Sequence, residues 1–243
     1  MRSLWLSLIL VAGVGATGCR ASHTSDQMPA PIQTSTTSPT TPPVVTPGNT
    51  PARDNETADK RPRLVCFGNS LTAGHGADPG ESYPDFLQKD LDDRGYGFRI
   101  INEGISGNTT KDGLDRVDRI IALHPAIVVV EFGGNDGLRG LRIEDTRANL
   151  DAILARLKTS GARIALAGIT LPPDYGPDYI QQFQQTYTLM ARKYSVPFLP
   201  FLLQGVYGEP GMMQADRTHA TAKGNEIVAQ NVLRLIGPFL KSR

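Results

Sequence analysis

Ala126-Ile127-Val128-Val129-Val130-Glu131-Phe132 is the stretch on which the fold turns. From Ile127 to Val130 it is apolar and mostly β-branched without alternation, so a strand made from it would be buried on both faces. Strands of that kind belong to parallel sheets covered by helices on both sides; a half-exposed antiparallel strand would alternate. The run gives way to Gly133-Gly134-Asn135-Asp136-Gly137, a cluster of turn formers.

Working outward, strand-like and helix-like segments alternate. Toward the N-terminus, residues 114–123 are helical in spacing, with Leu114, Val117 and Ile121 on one side. Phe98 to Asn102 reads as a strand, and Tyr83 to Arg94 as a helix carrying Phe86, Leu87 and Leu91. Arg63 to Phe67 is a short apolar strand. Toward the C-terminus come a helix over 146–158, a strand over 164–169, a helix over 179–194, a short strand over 196–199 and a closing helix over 222–240. This rhythm predicts an α/β domain, a three-layer α/β/α sandwich around a mostly parallel five-stranded sheet. No internal repeat is visible. In such sheets the functional residues gather beyond the carboxyl ends of the strands.

The predicted domain occupies residues 62–243, long enough to bury its own core. Residues 1–18 differ in kind. One positive charge at Arg2, the apolar run from Leu4 to Ala12 and then small residues make a secretory signal, too short to span a bilayer comfortably. Residues 19–61 are rich in Thr, Ser and Pro, with seven prolines from Pro29 to Pro51, and predict a disordered tether. The small residues before Cys19 resemble a bacterial lipobox, with Ala16 where that pattern usually has Leu. The resemblance implies cleavage before Cys19, lipidation of its thiol and a membrane anchor facing the periplasm or the cell exterior. The second cysteine, Cys66, lies in an apolar strand and reads as a buried inert thiol.

Lys and Arg total 25 against 24 Asp and Glu, with no basic block, so nucleic-acid binding has no electrostatic footprint. The histidines lack metal-ligand spacing, and no Gly-rich loop with a following Lys is present, so neither a metal nor another cofactor is expected. A monomer or a weak dimer is expected.

Four loops carry the chemistry: Gly68-Asn69-Ser70-Leu71-Thr72-Ala73-Gly74, Asn102 to Thr109, Gly133 to Gly137, and Gln214-Ala215-Asp216-Arg217-Thr218-His219. Each alone reads as a turn; Ser70 between glycines and Asp136 in its cluster are of residue types that turns favour. Together, at successive strand ends, they supply what nucleophilic catalysis needs: a nucleophile, a base, an orienting acid and donors for an oxyanion. The chain has four histidines. His23 lies in the tether, His124 at a helix end beside Pro125, and His75 at the rim of the Ser70 loop. His219 alone has an acid three positions earlier. That spacing can fold Asp216 onto Nδ1 of His219 and leave Nε2 for Ser70.

These four segments resemble the signature blocks of the SGNH hydrolase superfamily, also called GDSL esterases, over residues 63–240. The similarity is nearest to the bacterial acyl-CoA thioesterase I, arylesterase and lysophospholipase branch, which Leu171-Pro172-Pro173-Asp174-Tyr175-Gly176 and Val196 to Phe201 also resemble. The resemblance implies an SGNH/flavodoxin-like sheet with Ser70 as nucleophile, and an oxyanion hole from the backbone N–H groups of Ser70 and Gly107 and the side-chain amide of Asn135. It further implies His219 as base then acid, with Asp216 holding its tautomer. Two positions depart from the pattern: Asn69 stands where the family has Asp, and Ala220 where it usually has Pro. An α/β-hydrolase would instead show Gly-x-Ser-x-Gly, and Thr72 occupies the last position here.

A serine triad with an oxyanion hole predicts acyl transfer to water. Leu138, Leu171, Pro172 and Tyr175 are the expected pocket residues, and a small aryl or acyl ester, a lysophospholipid or a thioester the expected substrate. Two other readings stand beside this one: a carbohydrate O-acetyl esterase on the same fold, and a non-catalytic surface-tethered binding module.

Overall fold

In a computed structural model, residues 59–240 are described. The expected signal segment 1–18, Cys19 and nearly all of the expected tether lie outside the described residues. Among the described residues, five strands form one wholly parallel sheet: β1 (Arg63–Gly68), β2 (Arg99–Gly104), β3 (Ile127–Glu131), β4 (Arg163–Ala167) and β5 (Phe198–Leu199), in the order β2-β1-β3-β4-β5. Every residue of β3 is buried, as its unbroken apolar run requires.

Seven α-helices among the described residues connect and flank the strands: α1 (Ser70–Ala73), α2 (Tyr83–Asp93), α3 (Thr110–Ala122), α4 (Gly134–Leu138), α5 (Ile143–Thr159), α6 (Pro177–Tyr194) and α7 (Ala222–Ile236). α2 packs on α7, while α3, α5 and α6 pack side by side. This gives the expected three layers, because a parallel sheet reached by helical crossovers buries both faces. The core includes Leu87 and Leu91 of α2, Val117 and Ile120 of α3, Leu150, Ile153 and Leu154 of α5, and Val228 and Val232 of α7, all closed off from solvent. Each such side chain contributes roughly 1.5–3 kcal/mol of burial.

Element ends differ from the expectation where local polar chemistry overrides apolar spacing. α3 begins at Thr110, four residues before the first apolar position, because Thr109 and Asp112 form a reciprocal capping box. The closing helix stops at Ile236, and Gly237–Phe239 continues as a single 3-10 turn; Pro238 cannot donate to an α-helical ladder. β5 shrinks to Phe198–Leu199, since Pro197 has no N–H to pair. The short helices α1 and α4 replace two expected loops, and both sit at the carboxyl edge of the sheet.

Strand order reverses between β1 and β3, from which the chain goes on to build opposite halves of the sheet. A crevice opens at such a switch point, beyond the carboxyl ends of the strands. The loop after β1 and the turn after β3 meet there.

Candidate active site

Ser70 is the first residue of α1, so its N–H has no intrahelical acceptor. Asn69 caps the helix, its Oδ1 accepting from Leu71 N at 2.9 Å. The turn sits so close to the sheet that only glycine fits beneath it. A Cβ on Gly68 would lie 2.1 Å from Thr72 Oγ1 and 2.6 Å from Glu131 Oε2, and one on Gly104 would lie 2.1 Å from Ala73 N.

Asp216 and His219 come from a loop between β5 and α7. A bridge between Met213 and Ala220 closes this loop, and Gln214 Nε2 ties it to the carbonyls of His75 and Ala220. Within it the Asp216 carboxylate takes the backbone N–H of Thr218 (2.9 Å) and of His219 (3.1 Å) through Oδ1. Its other oxygen lies 2.6 Å from His219 Nδ1, and His219 Nε2 lies 2.8 Å from Ser70 Oγ. Hydroxyl, imidazole and carboxylate therefore form one continuous chain of hydrogen bonds. Partial burial raises the affinity of Asp216 for a proton, but the His219 ring and the two backbone donors outweigh it and hold the pKa at about 2. With Asp216 ionised, Nδ1 keeps its hydrogen and Nε2 is left with its lone pair for the Ser70 hydroxyl.

Asn135 lies in α4, directly after β3. Its Nδ2 donates to the carbonyl of Asn108 at 2.9 Å, which uses one of its two hydrogens. Gly107 adopts the left-handed region at φ 83°, and Arg139 binds its carbonyl at 2.9 Å. The next residue after Asn135, Asp136, is buried. Its carboxylate accepts from Thr110 N (2.9 Å) and Thr110 Oγ1 (2.5 Å), so it secures the start of α3.

Ser70, Asn135 and His219 open onto a cleft of about 120 Å³. Leu138, Leu171 and Pro172 line it, together with Phe201 from the Val196 to Phe201 stretch and with Ile169, Leu203 and Tyr207, which no motif in the sequence singles out. Tyr175 is not in that wall; its hydroxyl donates to the Leu138 carbonyl at 2.8 Å and so supports the wall from behind. His75 is exposed at the rim, its ring 4.6 Å from that of His219. Cys66 is a free, buried thiol whose pKa burial pushes up to about 12, consistent with an inert side chain.

Two further groups tie the loops together. Arg116 of α3 donates to Asn108 Oδ1 (2.9 Å), the Glu103 carbonyl (3.0 Å) and the Gly68 carbonyl (2.8 Å). No sequence signal marks it among the charges of α3. Glu131 ends β3, wholly buried, and accepts from Asn69 N, Asn69 Nδ2 and Thr72 Oγ1. A carboxylate closing a continuous apolar strand is the anomaly that could have drawn attention to it.

The sheet order and the four loops at its carboxyl edge define a hydrolase of the SGNH type. Residues 66–227 match the GDSL-like Lipase/Acylhydrolase family, and the chain belongs to it. It is 40% identical over 178 residues to Esterase TesA of Pseudomonas aeruginosa, covering 73% of this chain and 89% of that one. It is 33% identical over 178 residues to Thioesterase 1/protease 1/lysophospholipase L1 of Escherichia coli K12, covering 73% and 84%. Among solved structures, a crystal structure of TesA superposes with a TM-score of 0.71 at 40% identity, covering 73% of this chain and 99% of that one. The psychrotrophic esterase EstA from Pseudoalteromonas sp., inhibited by monoethylphosphonate, does so with a TM-score of 0.70 at 28% identity, covering 74% and 99%.

Proposed function

We propose that this SGNH-type esterase hydrolyses small aryl or acyl esters through an acyl-enzyme on Ser70, with lysophospholipids or thioesters as further candidate substrates. The 2.8 Å contact between His219 Nε2 and Ser70 Oγ, backed by Asp216, carries the reading. His219 takes the hydroxyl proton as Ser70 Oγ bonds to the ester carbonyl carbon. The N–H groups of Ser70 and Gly107 and the free hydrogen of Asn135 Nδ2 stabilise the oxyanion. The protonated imidazole then gives its proton to the departing alcohol oxygen. Water, activated in the same way, attacks the acyl-Ser70 ester and releases the acid.

The apolar wall of Ile169, Leu171, Phe201 and Leu203 favours an acyl chain over an acetyl group carried by a sugar, the alternative substrate class. A chain-length series of p-nitrophenyl esters run beside Ser70→Ala tests this. Turnover that rises beyond acetate and vanishes in the variant is expected; no turnover above the variant on any ester or thioester removes the reading. Release of acetate from acetylated polysaccharide would favour the carbohydrate alternative. Labelling of Ser70 by an organophosphonate fluorophore would separate either enzyme from a binding module.

Export and anchoring through a lipidated Cys19 are supported by the sequence pattern of residues 1–19. Metabolic labelling with an alkyne fatty acid should mark the native chain and leave Cys19→Ser unmarked; equal labelling of the two removes the anchor. A monomer or weak dimer is proposed, to be read by sedimentation.

A further inference from the structure

Both sides of the Ser70 turn hang on a single buried carboxylate. Glu131 Oε1 accepts from Asn69 Nδ2 at 2.8 Å, and Oε2 accepts from the Asn69 backbone N–H at 3.2 Å and from Thr72 Oγ1 at 2.9 Å. Asn69 immediately precedes Ser70 and Thr72 lies two residues after it. Glu131 is wholly buried, and among the described residues no Lys or Arg pairs with it. From Glu131 the chain leads, four residues further on, to Asn135. One side chain thus links the hydroxyl and backbone N–H of Ser70 to the strand that delivers the Asn135 amide.

We propose that Glu131 is a positioning residue for Ser70, acting through a donor–acceptor match with Asn69 that fixes the nucleophile turn against the oxyanion donor. This rests on Ser70 being the nucleophile. Both Asn69 groups facing the carboxylate can only donate, and Asn69 cannot turn its amide over, because its Oδ1 already accepts from Leu71 N at 2.9 Å; the Thr72 hydroxyl, which also meets the Tyr83 hydroxyl at 3.2 Å, can accept from the carboxyl when that is protonated. In Glu131→Gln the new NH₂ therefore meets a donor whichever way it is placed, since one oxygen position faces Asn69 Nδ2 and the other the Asn69 N–H. Exchanging both residues restores the match. In the double variant Glu131→Gln/Asn69→Asp, the amide Nε2 at position 131 donates to the new carboxylate at position 69. The amide oxygen at position 131 still takes the backbone N–H of position 69 and the Thr72 hydroxyl.

The test is a double-mutant cycle on the full chain, read by kcat and KM on a p-nitrophenyl ester, by the rate of organophosphonate labelling and by Tm, with Ser70→Ala as blank. Glu131→Gln is expected to fold, to lose about 10- to 100-fold in kcat and in labelling rate with KM within about threefold, and to recover at least fivefold in kcat when Asn69→Asp is added. A merely structural role would move Tm and leave kcat of the folded fraction and the recovery untouched. Glu131→Gln with kcat within twofold of wild type, or a double variant no faster than the single one, overturns the proposal. Should Glu131→Gln not fold, Thr72→Ala removes one of the three donors by deletion alone; a fall in kcat at constant KM supports the proposal, and unchanged kcat overturns it. If wild type shows no turnover above Ser70→Ala, the esterase reading itself fails; an active wild type with an equally active Glu131→Gln removes only the positioning role.

Discussion

The side-chain Nδ2 of Asn135 is held 2.9 Å from the carbonyl oxygen of Asn108, so the amide that follows β3 is oriented by the loop that follows β2. One hydrogen is spent on orientation and the other is free toward the cleft. A donor fixed before reaction needs no reorganisation as charge develops on the substrate oxygen. Asn135→Ala should therefore fold with an unchanged circular dichroism spectrum and lose about 10²- to 10³-fold in kcat, with KM altered far less. A loss confined to KM would mean that the amide binds ground-state substrate only.

Glu131 predicts a pH dependence of stability. Burial is the largest influence and raises its pKa from 4.5 to about 7, against the lowering effect of its hydrogen bonds from Asn69 and Thr72. The titratable neighbours on the elements around it are Cys66 of β1, Tyr83 of α2 and Tyr187 of α6, whose pKa values burial also raises, leaving them neutral in this range. Between 4.5 and about 7 the folded state holds a proton that the unfolded state has released. The stabilisation is full below the unfolded value and is lost as pH rises through the folded one, in all about 3 kcal/mol. Scanning calorimetry from pH 5 to 8.5 should show the Tm of wild type falling relative to Glu131→Gln by roughly 5–10 °C. Parallel curves would refute the titration.

Asn69→Asp should remain active, and the structure adds a condition to that expectation. The new carboxylate would face Glu131 across the present 2.8 Å contact, and two buried carboxylates at that spacing hold a proton between them. Turnover at pH 6 should stay within about fivefold of wild type, then decline above neutrality more steeply than wild type as that proton leaves. Complete inactivity at every pH, or a pH–kcat curve superimposable on wild type, would contradict this.

Arg116 is expected to behave as a strut. Its guanidinium reaches three acceptors, on the ends of β1 and β2 and in the loop that carries Gly107, and stands 4.6 Å from the Phe67 ring centroid. Lysine cannot satisfy three divergent acceptors, so Arg116→Lys is not conservative here. It should cost about 2 kcal/mol in urea unfolding and roughly tenfold in kcat. Wild-type kcat in the folded variant would reduce Arg116 to a stability role.

The parallel sheet is legible directly from Ile127 to Val130, because a strand buried on both faces has no polar position to spare. Ser70, Asp216 and His219 are equally legible. His23 falls in the Thr-, Ser- and Pro-rich stretch of sequence, His75 at a loop rim and His124 at a helix end, and the short spacing of Asp216 and His219 makes their contact a local event. The starts of α3 and α4 escape such a reading, because capping side chains and turn residues rather than apolar periodicity set them. Tyr175 is expected in the pocket wall on the strength of its loop alone; its hydroxyl turns instead to the Leu138 carbonyl, where an aromatic polar tip finds a partner.

The order of elements and the acid–imidazole pair are written in the chain itself, since each depends on neighbours within a few residues. Which groups stand beneath Ser70 was decided only by the folded sheet. Glu131 lies 61 positions from Ser70, and Arg116 lies 48 from Gly68 and 8 from Asn108. These contacts exist because parallel pairing sets β3 beside β1 in one register and brings α3 back across both strand ends, a long-range geometry that no local pattern encodes.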